Sequence, residues 1–129
     1  MIQKDRLTYL ASPYSHSLQS IVDERARLAQ VCARKLMERG YCIYSPIAYT
    51  HGIDRLGPSL PYDYWMLLDR QFLLASHSLL ILDIAGWHAS RGVEIEVRTA
   101  KGLGLPIFFV NPVGRIYNAP SLLTLFTKE

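Results

Sequence analysis

Two rhythms of apolar and polar positions alternate along the chain. "LTYLAS" at residues 7–12 is a short apolar run that stops at the Ser- and Pro-rich "SPYSHS", the pattern of a strand and its loop. From about Leu18 to Arg39 the apolar positions Leu18, Ile21, Val22, Leu28, Ala29, Cys32, Ala33 and Leu36 follow a 3.6-residue period, and Gly40 closes the segment, which predicts a helix. "YCIYSP" predicts a second strand. Ile47 to Pro61 contains Gly52, Gly57, Pro58 and Pro61 and predicts a long surface loop, a kind of segment that often carries function. A second helix is expected from about Tyr62 to Ser76. "SLLILD" follows as a strand apolar on both faces, as in the middle of a parallel sheet. "IAGWHAS" leads into a helix from near Arg91 to Gly102, "PIFFV" is another buried strand, and residues 119 to 127 suggest a short final helix.

Strands alternating with helices argue for a single three-layer α/β domain over residues 1–129. Its mostly parallel sheet, flavodoxin- or Rossmann-like, would have four to five strands with helices on both faces. Ligands of such folds bind outside the carboxyl ends of the strands. "SPYSH", "SPIAYTH", "DIAGWHAS" and "NPVG" are therefore expected along one rim.

Against this frame two acids are out of place. Val93, Val97, Ala100 and Leu103 form the inward stripe of the third helix, and Glu96 shares it. Its neighbour Glu94 points elsewhere, one turn from Arg98 and near Lys101, an ordinary exposed pair. Asp69 has Trp65, Met66, Phe72 and Leu73 at its helical neighbours. A buried, unpaired charge costs several kcal/mol, so each acid needs partners or a task. Glu96 could pair with Arg25, and Asp69 could cap a loop. Two such acids directed at one rim suit chemistry at a sugar's anomeric carbon, one as nucleophile and the other moving a proton.

Composition narrows the partners. Of the 129 residues 50% are hydrophobic, and the net charge of +3 comes from dispersed Lys and Arg. That spread supplies no basic stripe for a nucleic-acid polymer, while an anionic small ligand is easily accommodated. No stretch reaches a membrane span. "MIQKDRLTYL" lacks the apolar region and cleavage site of a secretory signal. Cys32 and Cys42 are expected as reduced, buried thiols of a cytoplasmic protein. His16, His51, His77 and His88 show no ligand spacing, so neither a metal nor a cofactor is expected. GxGxxG and GxxxxGK[ST] motifs are absent from the sequence, which removes dinucleotide and P-loop readings.

"YLASPYS", "LLDRQFLLASHSLLILD" and "SRGVEIEVRTAKGLGLPI" together resemble the nucleoside 2-deoxyribosyltransferase-like superfamily, which includes deoxyribosyltransferases and 2'-deoxynucleoside 5'-monophosphate N-glycosidases. "SPYSH" and "GWHASRGVEIE" are closer to a small uncharacterised branch of it. The resemblance implies a flavodoxin-like sheet and cleavage of an N-glycosidic bond in a small-molecule nucleoside or nucleotide. It further implies a homo-oligomer, dimer or tetramer. It puts the nucleophile on Glu96, the acid assisting the leaving base on Asp69, and the tyrosine that orients the nucleophile on Tyr9. Ser90 falls where relatives touch sugar or phosphate, and Gly92 follows in the same motif. Relatives often carry a glycine-containing turn after strand one, where this chain has Ser12-Pro13-Tyr14, so Tyr14 is a second candidate for the Tyr9 role.

The other rim residues each admit two readings. Ser12, Ser15 and His16 precede the first helix and suit either helix capping or a phosphate at its N-terminus. Arg25 suits an anion or solvent, and Asp83 suits loop capping or a ribose hydroxyl. Trp87 suits base stacking or anchoring of the fold. Ser90 is expected to cap the Glu96 helix, and the long Ile47–Pro61 loop, which carries His51, is expected to govern the base pocket.

Overall fold

The computed structural model describes residues 2–127. One five-stranded sheet, in the order β2-β1-β3-β4-β5, organises the chain. β1 (Leu7–Ala11), β2 (Cys42–Tyr44), β3 (Ser78–Leu82) and β4 (Ile107–Val110) are parallel, and β5 (Ile116–Tyr117) is antiparallel to β4. The layered, mostly parallel architecture expected from the alternating pattern is the observed one. The strand order, which that pattern left open, reverses direction between β1 and β3, and the crevice there is where doubly wound sheets bind ligands.

Side-chain alternation along β1 and β3 divides the core in two. Tyr9, Ala11, Leu79 and Ile81 face α3 (Tyr62–Ala75), α4 (Arg91–Gly102) and the 3-10 segment Pro120–Thr127. Leu10, Leu80 and Leu82 face α1 (Gln19–Glu38), together with Ala29, Cys32 and Leu36. All five residues of β3 are buried, which explains its continuous apolar run.

Four local expectations are corrected. Residues 47–61 are not all loop: α2 (Pro46–Asp54) begins there, with Ser45 Oγ accepting from the Ala48 N–H and Pro46 in the first turn. Proline at that position loses no helical hydrogen bond, and the buried Thr50 and Pro46 anchor the helix against the domain. Gly52 within it concealed the pattern. Cys32 is buried, but Cys42 is exposed, because it starts the sheet's edge strand. Leu103 is exposed too, lying beyond the last turn of α4 as its C-cap.

The segment Asn111–Gly114 follows the carboxyl end of β4, as expected of the rim, but it forms the tight turn of the β4–β5 hairpin and does not line the cleft described below. Asn111 Oδ1 accepts from the Val113 and Arg115 amides. Gly114 adopts φ +86°, and a Cβ there would lie 2.9 Å from the Arg39 guanidinium. Arg39 donates to the carbonyls of Gly114 and Val113, which pins the turn to the end of α1.

Candidate functional site

α4 and α3 bring the two misplaced acids together. Ser90 caps α4 by accepting from the Val93 N–H at 3.2 Å. Counting from that cap, Glu96 falls on the same face as the buried Val93, Val97 and Ala100. It is only 7% exposed. Glu94 turns to the other side and binds Arg98 at 2.7 Å. Asp69, 9% exposed, reaches the same space from the middle of α3. Both carboxylates line one cleft of about 570 Å³. A smaller cavity of about 290 Å³ between α3 and α4 also reaches both.

Tyr9, fully buried in β1, donates its hydroxyl to Glu96. Neither Arg25 nor any other cation pairs with Glu96 among the described residues. Asp69 caps no loop, for its Oδ1 is buried without a hydrogen-bond partner among the described residues. Two further hydroxyls share that condition, Ser12 and Tyr44. Buried polar atoms are nearly always satisfied in folded proteins, so orphans lining a cleft, as Ser12 and Asp69 do, are groups suited to a ligand.

Burial sets the protonation of the pair. Glu96 is pushed up from 4.5 to about 8, first by desolvation and then by the Asp69 charge, with the Tyr9 hydrogen bond opposing both. Desolvation alone raises Asp69 from 3.8 to about 6. Tyr9 is driven well above the ordinary tyrosine range by burial and by the carboxylate it serves, so it stays a neutral donor. Around neutral pH the pair therefore holds about one proton between its two acids.

The other candidates divide. Ser12, Tyr14, Ser15, Ser90 and Gly92 line the cleft with the acids. Tyr14 does not touch Glu96; its hydroxyl pairs with His51 Nδ1 at 2.7 Å, so of the two tyrosines it is Tyr9 that sits on the glutamate. Ser12 and Ser15 do not cap α1, whose N-cap is Leu18 without a side-chain bond. His16 accepts from the Leu18 N–H and lies in an adjoining polar groove.

Arg25 is half-buried and turned to two backbone carbonyls. It ties the β1 loop to the β3 loop through the carbonyls of Ser15, at 2.9 Å, and Ala85, at 3.4 Å. Its guanidinium packs so closely on Gly86, at φ +92°, that a Cβ there would lie 2.5 Å away.

Asp83 and Trp87 are outside the cleft. Asp83 accepts from the Tyr117 hydroxyl. Trp87 is buried, with edge-on contacts to Phe109 and Phe126 at 5.0 and 5.5 Å, because it anchors the β3–α4 connection in the core. Base stacking by this ring is thereby excluded.

Tyr44 was not singled out by the sequence. It stands opposite Tyr9 in the β1–β2 register, stacks on Phe72 at 3.8 Å, and is raised by burial and then by the charge of Asp69. Knowing that "YCIYSP" pairs with "LTYLAS" in that register would have exposed it. No group of three or more His, Cys, Asp or Glu side chains among the described residues could hold a metal ion. No helix among them is long and apolar enough to cross a membrane.

Comparison with known proteins places this geometry. The model of a family described as a domain of unknown function (DUF1937) matches residues 6–111. No protein of curated function matches. Among solved structures, a 2-deoxyribosyltransferase from the psychrotolerant bacterium Bacillus psychrosaccharolyticus shares the fold, with a TM-score of 0.57 and 18% identity. The match spans 92% of this chain and 80% of that one, in keeping with the sheet that the sequence motifs imply.

Proposed function

This chain belongs to the DUF1937 family, and we propose that it is an enzyme cleaving the N-glycosidic bond of deoxynucleosides or their 5'-monophosphates. One observation carries the reading. Two desolvated carboxylates on adjacent helices line a single cleft, and only one of them, Glu96, receives a buried phenolic hydrogen bond. That asymmetry assigns the roles. A donated hydrogen bond favours the ionised form, which a nucleophile requires, so Glu96 is the attacking group. Asp69 lacks such a donor at Oδ1; in the free protein the shared proton favours Glu96, whose value lies above that of Asp69, and the scheme has that proton pass to Asp69 when substrate is bound.

In the first step Glu96 forms an ester bond to C1' while the C1'–N bond breaks. The electron pair leaves on the base nitrogen, which takes the proton from Asp69. In the second step water or another base attacks C1' and gives its proton to the Asp69 carboxylate, while the C1'–O bond breaks and Glu96 departs as the carboxylate. Water makes the enzyme a hydrolase and a second base makes it a transferase. Ser12, Ser90 and Gly92 form the wall against which the sugar and any 5'-phosphate rest. Tyr9 is a positioning residue in this scheme. The oligomer implied by the resemblance belongs to the same proposal, with Tyr64, Leu67 and Leu74 on the exposed face of α3 as the surface to be covered.

The test is a panel of deoxynucleosides and their monophosphates, with free base followed by chromatography. Base release by the wild type and a loss of 10³-fold or more in Glu96→Gln are expected, as for removal of a covalent nucleophile (roughly that order or greater). Undiminished turnover in Glu96→Gln rejects the assignment. Tight binding of panel members with no base released from any of them makes the cleft a ligand-holding module instead.

A further inference from the structure

The cleft has a second ordered unit, contributed by elements remote from the two acids. The Tyr14 hydroxyl lies 2.7 Å from His51 Nδ1, and the two rings meet edge-on. His51 Nε2 faces Asp23 Oδ1 at 3.4 Å. The same oxygen also receives Arg55 at 2.5 Å and the Gln19 amide at 2.9 Å. Tyr14 comes from the loop after β1, His51 from α2 and Asp23 from α1, so three separate segments converge on this chain of contacts.

The position of Asp23 biases the direction of the Tyr14–His51 hydrogen bond. Asp23 is held below its ordinary value by the Gln19 hydrogen bond, and further by Arg55 and His51, so it is an acceptor only. The Asp23 carboxylate, 3.4 Å from Nε2, favours the imidazole tautomer that carries its N–H there, which leaves Nδ1 bare. In that tautomer Tyr14 donates its one proton to Nδ1. Its oxygen retains lone pairs and has no proton left for anything else.

We propose that Tyr14, locked by His51 and Asp23 at the wall of the cleft that Glu96 and Asp69 also line, selects ligands by accepting a hydrogen bond from a donor group on them. The donor is either an exocyclic amine of the base or a hydroxyl of the sugar. A ligand presenting only an acceptor at that point meets lone pairs and is disfavoured. Burial, the main influence on Tyr14, raises it above the ordinary tyrosine range, consistent with a neutral hydroxyl serving recognition rather than a base. His51 and Asp23 are positioning residues that act through Tyr14. This inference deepens the proposed function by naming what the cleft reads on its ligand, and it rests on that reading for the choice of probes.

Calorimetry on protein carrying Glu96→Gln measures binding without consuming the probes. 2'-Deoxyadenosine and 2'-deoxycytidine are each compared with the analogue lacking the exocyclic amine and with the 2',3'-dideoxy analogue. The donor-bearing probe is expected to bind about tenfold more tightly, the worth of one good hydrogen bond. Tyr14→Phe, which keeps the ring and its contact with His51, is expected to reduce that preference to near unity. Loss of the amine preference assigns the contact to the base, and loss of the hydroxyl preference assigns it to the sugar.

His51→Phe should erode the same preference, yet change nothing further once Tyr14→Phe is present. A merely structural His51 would act equally in both backgrounds, and that result overturns the proposal. An unchanged preference in Tyr14→Phe also overturns it, as does failure of every probe to bind. Base release by the wild type with unchanged preferences rejects this inference alone. The expected preferences without base release reject the enzymatic reading alone.

Discussion

The two walls of the cleft solve opposite problems. On the α3–α4 wall, Asp69 and Glu96 are buried, have no cation beside them among the described residues, and are raised toward neutrality. Behind the opposite wall, which Tyr14 lines, Asp23 is exposed, surrounded by Gln19, Arg55 and His51, and lowered. Carboxylates of contrary chemistry thus serve one crevice, Asp69 and Glu96 from its lining and Asp23 from behind Tyr14 and His51. Desolvation without compensation makes an acid reactive and costs stability, whereas a solvated carboxylate with several donors is inert and can orient its neighbours. The difference follows from helix geometry: α3 and α4 turn their acids toward the sheet, and α1 turns Asp23 toward solvent.

The strongest way to break this contrast is to remove the only donor to the Glu96 side chain among the described residues. Tyr9→Phe withdraws a hydrogen bond that opposes the rise in the Glu96 pKa, so less of the nucleophile is ionised at neutral pH. A loss of about 10- to 100-fold in kcat is expected, the usual range for a bond to a charged group. KM should stay nearly constant, because Tyr9 touches the nucleophile rather than the ligand. The acid limb of the kcat profile should move to higher pH. An unmoved limb in a folded variant would mean that the phenol only fills space.

How far these walls were legible in the sequence depends on the kind of signal each residue leaves. Glu96 and Asp69 betray themselves by interrupting apolar stripes of period 3.6, a pattern that survives without coordinates. Tyr9 leaves no such trace. A tyrosine in mid-strand reads equally well as core, and only the resemblance pointed to it. The Tyr14–His51–Asp23 chain spans 37 residues from Tyr14 to His51 and depends on α2, whose Gly52 and following Gly57-Pro58 imitate a loop. Trp87 was legible as a rim residue by position, but whether its ring faces ligand or core depends on Phe109 and Phe126 packing behind it. β5 has two residues, too short for any period to register. Local pattern thus reported the fold and the acids, while long-range pairing decided which rim residues meet in the cleft.

A second, smaller effect sharpens the comparison through stability. Glu96 ionises near its ordinary 4.5 in the unfolded chain and near 8 in the folded one. As pH rises through that interval the unfolded state releases its proton first, so the native state loses stability. Glu96→Gln removes this loss, and its amide oxygen still accepts from Tyr9. The variant and wild type should melt together near pH 4.5. By pH 8 the variant should be more stable by on the order of 3 kcal/mol. Asp69, raised from 3.8 to about 6, adds a slope of the same sign at lower pH in both proteins. A stability gap independent of pH, or a variant less stable at pH 8, would show that Glu96 is not desolvated.

The smallest expected effect belongs to the glutamate two residues away. Glu94 shares helix α4 with Glu96, yet its side chain is 32% exposed and its partner Arg98 is 63% exposed. An exposed i,i+4 pair contributes about 0.3–0.5 kcal/mol, screened by salt. Glu94→Gln should therefore shift the unfolding free energy by no more than that, with the difference shrinking further in 1 M salt and base release unchanged. A tenfold drop in base release from this variant would mean that α4 transmits charge along its length. Two acids on one helix differ here only in which way they face, and a 200° rotation between positions 94 and 96, about 100° per residue, is what separates a surface ion pair from a candidate nucleophile.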